Sequence, residues 1–424
     1  MRIFTLIWFG QFVSTIGSYM TYFALTLWVW DTTGSATALA LLVFFLQLSR
    51  IPITLISGLI VDRFNRKRLM ILGDGITALA TLTIGALYLM GHLQIWHFYL
   101  VAILIGSFGQ IQMLAYQTSM TLIVPKQHYT RANSMAAVVH YGSNIIGPAL
   151  AGMLYPRIGL AGILLIDLVT FTIAIATLLA VPIPQPQPQE KSQSETILSK
   201  LTFGFRYIWQ RSSLRTLLLL AAIFWFAHDL GSAIYQPMIL ARTNGSAEIL
   251  AGTATAAGLG GVAGAVLLSL WGGPKRRIHG MLAGFIGAGI CKIGFGLGRS
   301  PQVWLPTQFC SSLNFPLLGS SGNALWMEQV VPEKQGRVFA ARALVTQVVS
   351  AIAALIAGPL ADRGVEPAML PGGSLSQLFS PAFGTGVGAG MSLLYVLCAL
   401  MMMLVGVNGF FIPQLKTIAA SESN

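Results

Sequence analysis

Apolar residues run through this chain in long blocks, and polar positions gather between the blocks rather than alternating with them. A helix that crosses a bilayer needs about 20 mostly apolar residues. Blocks of that length lie near 4–30, 36–61, 69–90, 97–121, 132–156 and 159–181, and again near 214–240, 248–271, 278–298, 302–327, 337–360 and 386–412. The pattern predicts twelve spans in two sets of six. Between the sets, Pro182 to Glu195 reads PIPQPQPQEKSQSE, a proline- and glutamine-rich linker. The stretch TFGFRYIWQRSSLR that follows predicts an amphipathic helix on the membrane surface. The expected organisation is an N-terminal six-helix bundle over 1–181, a linker with its surface helix over 182–213, and a C-terminal six-helix bundle over 214–424.

Composition agrees. Of 424 residues, 55% are apolar and 9% charged, against about 25% charged in an ordinary soluble domain. This is the balance of an all-α membrane protein with many spans. The net charge of +12 would suit a nucleic-acid binder if it formed one face. Here the basic residues sit in short loops. Nineteen Lys and Arg fall at the termini, the linker and the even-numbered loops, and four (Arg157, Arg242, Arg299 and Arg363) on the other side. Positive charge concentrates on the cytoplasmic side of membrane proteins, so both termini are expected there. The first block is too long for a cleaved signal peptide. Cys291, Cys310 and Cys398 all lie in apolar blocks and suggest neither disulfides nor a metal cluster.

The two halves echo each other. VPKQHYTRANS (124–134) precedes the fifth block and VPEKQGRVFAA (331–341) the eleventh; GPALAG (147–152) lies in the fifth and GPLAD (358–362) in the eleventh. Such correspondence predicts a duplicated, pseudo-symmetric six-helix unit, a plan common among secondary transporters.

Between the second and third blocks stands GLIVDRFNRKR, with Gly58, Asp62, Arg63, Arg66 and Lys67 at fixed spacing. Gly58 would let two helices approach closely, Asp62 could cap a helix end, and the basic residues would hold the loop at an anionic leaflet. This spacing resembles the signature loop of the major facilitator superfamily. The resemblance implies that fold and assigns these five residues to a cytoplasmic gate. The corresponding loop of the second half, WGGPKRR (271–277), keeps the basic residues and lacks the aspartate. GQFVSTIGSYMTYFALTLWV, VDRFNRKRLMILGDG, ANSM, GPLADR and FGTGVGAG (383–390) together look like the macrolide-efflux and enterobactin-exporter branch. Members of that branch export amphipathic compounds, usually by exchange with protons, from the bacterial inner membrane. In the fifth span, Gly142, Gly147, Pro148 and Gly152 match the Gly-Pro motif of proton antiporters. Ser143 and Ala151 stand where glycines are common.

In this fold the resemblance implies a cavity lined by the first, fourth, seventh and tenth spans. Helical periodicity gives those spans polar faces independently: Gln11, Thr15, Ser18 and Tyr22; Gln110, Met113 and Gln117; Trp225, Asp229, Ser232 and Gln236; Asn314, Ser321 and Glu328. Aromatic, methionine and a few polar side chains suit a broad amphipathic ligand. Hydrogen bonding between helices is the alternative role for any one of them.

Charges inside spans are costly unless paired or hydrated. Asp229 lies near mid-depth beside His228, and a carboxyl there can bind a proton reversibly. Arg50, on a face with Gln47, Thr54 and Ser57, sits at similar depth, and pairing of Arg50 with Asp229 in one conformational state is expected. Glu328 could reach Arg337 or Arg342, as gate or proton carrier. His140 could titrate near neutral pH or serve packing. Asp74 is expected in a charge network with Arg63 or Arg131, and Asp167 in helix packing; Lys292 has no evident partner.

The sequence holds no Walker phosphate loop, no zinc or nucleophile-elbow motif; it predicts neither enzyme nor cofactor. Its expected function is secondary export of amphipathic small molecules, by proton antiport and as a monomer. An exporter of a siderophore or other metabolite, a lysophospholipid flippase, and a non-transporting receptor or scaffold stay open.

Overall fold

A computed structural model describes residues 1–184 and 197–416. The described residues form helices and their connections, with no strand among them. Helices α1 (Arg2–Thr33), α2 (Ala36–Arg63), α3 (Arg66–Leu89), α4 (Ile95–Ile123) and α5 (Tyr129–Ala180) make the first half. Then follow α6 (Ile197–Trp209), α7 (Ser212–Arg242), α8 (Ala247–Trp271), α9 (Arg277–Leu297), α10 (Pro301–Leu313), α11 (Phe315–Gln329), α12 (Pro332–Pro359), the short α13 (Glu366–Met369) and α14 (Ser376–Phe383), and α15 (Ala389–Gly409).

Among the described residues, ten helices are long and apolar enough to cross a membrane. The predicted twelve spans differ from these ten at two places, each with a local cause. The fifth and sixth spans are two helices that meet without a loop at Gly159 and are counted together as α5; the φ of 62° at Gly159 is one that glycine adopts without steric cost. The tenth span is split into α10 and α11 at Asn314. Pro316 has no N–H to give the Ser312 carbonyl, and at the break the Asn314 N–H reaches Ser311 at 3.1 Å while its side-chain amide takes the Cys310 carbonyl at 2.8 Å.

The chain divides into two compact units, Met1–Thr33 with Leu41–Ser194, and Gly34–Ala40 with Glu195–Asn424. In the first unit α1 packs along α5, and α3 packs against α4 and α5. Gly147 of α5 allows this closeness: a Cβ there would stand 2.4 Å from that of Tyr19. Apolar core residues include Ile7, Met70, Ile111 and Leu178. In the second unit α7 packs on α12 and α15, and α9 on α10, α11 and α15. Its core is built around Phe224 and Phe285, stacked with centroids 3.7 Å apart, beside Leu217, Leu282 and Trp326.

Of the stretch 202–215 predicted as one helix, the first part lies in α6 and the last in α7; most of the linker before it lies outside the described residues. The segment between α12 and α15 contains α13 and α14. It is tied down by carbonyl-seeking guanidiniums: Arg242 donates to Phe383 at 2.8 Å and Arg299 to Ala382 at 2.8 Å.

Candidate functional site

The loop between α2 and α3 follows directly from its chemistry. Asn65 caps α3, its side-chain oxygen accepting from the Arg68 N–H at 3.1 Å. Arg66 is buried and donates to the Thr118 carbonyl near the end of α4 at 2.8 Å. Lys67 donates to the Leu179 and Val181 carbonyls at 3.1 and 2.8 Å, placing a cation where the end of α5 presents unsatisfied oxygens. Asp62 and Arg63 are exposed. The expectation for Gly58 is corrected: open space faces its Cα, so it marks no close helix approach. In the fifth-span motif Gly147, Pro148 and Gly152 are buried, and Gly142 lies against the Phe12 ring. The His140 side chain lies outside the described residues.

Within the first unit lies a cavity of about 270 Å³, walled by α1 to α5. The polar face of α1 opens onto it through Gln11, Thr15, Ser18 and Tyr22, and Arg50 of α2 reaches it from the side. Leu25, Leu46, Phe98 and Phe171 supply apolar wall. Two carboxylates complete it. Asp74 is 3% exposed and accepts from the Gln11 amide at 3.0 Å and, through its other oxygen, from Gln112. Gln112 also donates to the Gln11 side-chain oxygen at 3.1 Å. Asp167 is 1% exposed. Its Oδ2 accepts from Thr21 of α1 at 2.8 Å and Thr81 of α3 at 3.3 Å. Each carboxylate therefore joins three helices, counting its own.

These placements revise two expectations. Asp74 does not belong to a network with Arg63 or Arg131: it is buried away from the loop, where two carboxamides satisfy it. Asp167 does bridge helices, and it also lines the cavity. Periodicity does not single out Gln112, because α4 carries polar residues on more than one face. Of the face singled out there, Gln110 is half-buried and Met113 and Gln117 are exposed.

In the second unit Asp229 is half-buried and takes a hydrogen bond from His228 Nδ1 at 2.9 Å. The His228 ring lies against Trp225 and Phe315, with centroids 5.2 and 5.0 Å away. Ser232 is exposed and Gln236 half-buried. Asn314 sits at the break between α10 and α11, and Ser321 is buried against α9 beside Gly280. Glu328 pairs with Arg277 rather than Arg337 or Arg342, which lie over the Phe203 and Trp326 rings. Lys292 acquires an account: buried in α9, it donates to the Tyr395 hydroxyl of α15 at 3.0 Å. Arg50 and Asp229 belong to different units. Arg50 donates to the Gln47 side-chain oxygen at 3.2 Å.

The sequence profile of the Major Facilitator Superfamily matches residues 7–354. Macrolide efflux protein A of Streptococcus pyogenes is 28% identical over 380 residues, covering 88% of this chain and 93% of that protein. Multidrug efflux pump Tap of Mycolicibacterium fortuitum is 22% identical over 421 residues, covering 97% and 96%. Among solved structures, a bacterial homologue of the human lysosomal transporter Spinster, inward-facing and unoccupied, aligns with a TM-score of 0.73 at 15% identity, covering 99% of this chain and 98% of that one. With an all-helical membrane fold and a profile match over most of its length, the chain belongs to the Major Facilitator Superfamily and is a transporter rather than an enzyme.

Proposed function

We propose that this transporter is a secondary exporter of amphipathic small molecules, driven by exchange with protons. It works as a monomer in a bacterial cytoplasmic membrane with both termini on the cytoplasmic side. The observation that carries the reading is the first unit's cavity. Aliphatic and aromatic side chains make its wall, and Gln11, Thr15, Ser18 and Arg50 are set among them. Such a lining accepts a broad apolar body and orients a few polar groups. The efflux names of the relatives point the same way. The loop carrying Asp62, Arg63, Arg66 and Lys67 serves as the cytoplasmic gate, and the fifth-span glycines with Pro148 as a packing seam. Asp229, coupled to His228, is the proposed proton-coupling group of the second unit.

The test is dye accumulation in cells lacking their own pumps. Wild type and Asp229→Asn are expressed at equal levels, loaded with cationic and neutral amphipathic dyes, and followed with and without a protonophore. Export by the wild type that the protonophore abolishes supports proton-driven efflux. Loss of all export in Asp229→Asn makes Asp229 a coupling residue, whereas loss for cationic dyes alone makes it a recognition group. If no dye moves through well-folded wild type, the efflux reading fails, and siderophores and lysolipids become the substrates to try.

A further inference from the structure

We propose that Arg342 anchors a binding site for an amphipathic anion, a phosphate or carboxylate head on an apolar chain, in a second cavity separate from that of the first unit and from the His228–Asp229 pair. This cavity has a volume of about 510 Å³ and lies between α11 and α12 of the second unit. Its lining follows helical periodicity: Asn323 and Met327 share one face of α11, and Phe339, Arg342 and Thr346 share one face of α12. Among the described residues that line it, Arg342 alone is charged. Arg342 is half-buried, ten residues beyond Pro332 and so about 15 Å along a helix that is apolar enough to span the membrane. A charge at such depth is costly unless paired or hydrated. The surroundings hold this one without neutralising it. Its guanidinium lies over the Trp326 ring, 5.1 Å from the centroid, and Trp326 is itself buried. The acidic residues nearest along the chain are turned elsewhere. Glu328 pairs with Arg277, and Glu333 is exposed, nine residues back and half a turn round α12. Arg337 makes the contrast: its guanidinium lies over Phe203 of α6, whose Gly204 packs on the Arg337 backbone.

Charge and lining select the occupant. A guanidinium presents a planar fork of N–H donors that matches a carboxylate or phosphate with two parallel bonds. Stacking on Trp326 fixes that fork in advance. The Asn323 carboxamide brings further donors to the same cavity. Met327 and Phe339 give the rest of the ligand an apolar wall, and methionine adapts to chains of differing shape. A cationic head would meet the like charge of Arg342. A neutral apolar compound would cover the guanidinium and leave it without a partner. A small anion with no chain would leave the apolar wall unused. Anions of the required kind come from two sources, soluble amphiphiles and the anionic phospholipids of the cytoplasmic leaflet. Binding here requires neither drug export nor proton exchange, so the site stands or falls apart from the efflux reading.

The test uses the full-length protein in phosphatidylcholine nanodiscs and follows the thermal unfolding midpoint as octyl phosphate is added. Octyltrimethylammonium and octyl glucoside carry the same chain on a cationic and a neutral head, and inorganic phosphate carries the head alone. Octyl phosphate should raise the wild-type midpoint, at a lower concentration than inorganic phosphate, while the other two heads should not. Arg342→Gln removes the fork, and Asn323→Asp puts a carboxylate into the same cavity. Each should raise the half-saturating octyl phosphate concentration about tenfold or more, the share of a charge-assisted hydrogen bond. Arg342→Lys, which keeps the charge and loses the fork, should fall between. Asn323 is exposed, so its variant decides the matter if Arg342→Gln does not fold. Replacing part of the phosphatidylcholine by phosphatidylglycerol distinguishes the sources. A rise in the wild-type midpoint that Arg342→Gln lacks, and to which octyl phosphate adds nothing, makes the leaflet lipid the occupant. An unchanged octyl phosphate response makes it a soluble amphiphile. The proposal is overturned by no rise with octyl phosphate in phosphatidylcholine discs, by equal rises with all three heads, by an equal response to inorganic phosphate, or by a response unchanged in both Arg342→Gln and Asn323→Asp.

Discussion

Gln112→Leu tests whether the buried Asp74 works as a charged group. The Gln112 amide nitrogen is used twice, donating to Asp74 Oδ1 and, at 3.1 Å, to Gln11 Oε1. A hydrogen bond to a charged partner contributes about 1.5–3 kcal/mol and a neutral one about 1 kcal/mol. Removing both is expected to cost about 3 kcal/mol, since the carboxylate is 3% exposed and water cannot replace the donor. In an Asp74→Asn background the same change removes two neutral bonds and should cost about 2 kcal/mol. The coupling between positions 74 and 112 is then about 1 kcal/mol, roughly a fivefold change in the unfolding constant, of the size that double-mutant cycles resolve for residues in contact.

The assay is reversible unfolding by a denaturing detergent in mixed micelles, applied to wild type, Asp74→Asn, Gln112→Leu and the double variant. Equal penalties for Gln112→Leu in both backgrounds, within about 0.3 kcal/mol, would refute the reasoning. A protonated, neutral Asp74 would give that result.

Two further outcomes are expected. Lys67→Ala removes both bonds to the end of α5, to Leu179 and Val181; it should lower stability by about 1–2 kcal/mol in the same detergent titration, with Lys67→Arg retaining most of it. Tyr395→Phe leaves the buried Lys292 ammonium without the hydroxyl it meets at 3.0 Å and should destabilise by about 2 kcal/mol, whereas Lys292→Met with Tyr395→Phe removes both partners and should unfold later than Tyr395→Phe alone. If the double variant is the less stable of the two, the ammonium has other support and the pairing is secondary.

The spans were legible because crossing a bilayer imposes a length of apolar chain that few other demands imitate. The two departures come from single residues acting on the backbone. At Gly159 a positive φ turns the chain from the fifth span into the sixth with no loop between them. At Pro316 a missing donor breaks a span whose composition alone reads as unbroken. Neither changes hydropathy, so neither shows in an apolar pattern.

For the cavity the division runs between what one helix determines and what three helices determine. Gln11, Thr15, Ser18 and Tyr22 lie on one face of α1 by the 3.6-residue period, and together they line the cavity. Their partners could not be read the same way. Asp74 meets Gln11 and Gln112 only because α1, α3 and α4 are brought side by side. Asp167 meets Thr21 and Thr81 for the same reason, with α5 in place of α4. On α4 the period alone admitted more than one polar face. The face of Gln110, Met113 and Gln117 was as regular as any, yet the residue that reaches Asp74 is Gln112, on another face. A buried carboxylate supplies the missing constraint. Removed from water, it has to find donors, so an aspartate deep in an apolar span directs attention to amides and hydroxyls at matching depth on neighbouring helices. Asp74 finds two amides and is closed. Asp167 finds hydroxyls instead, from Thr21 on α1 and Thr81 on α3.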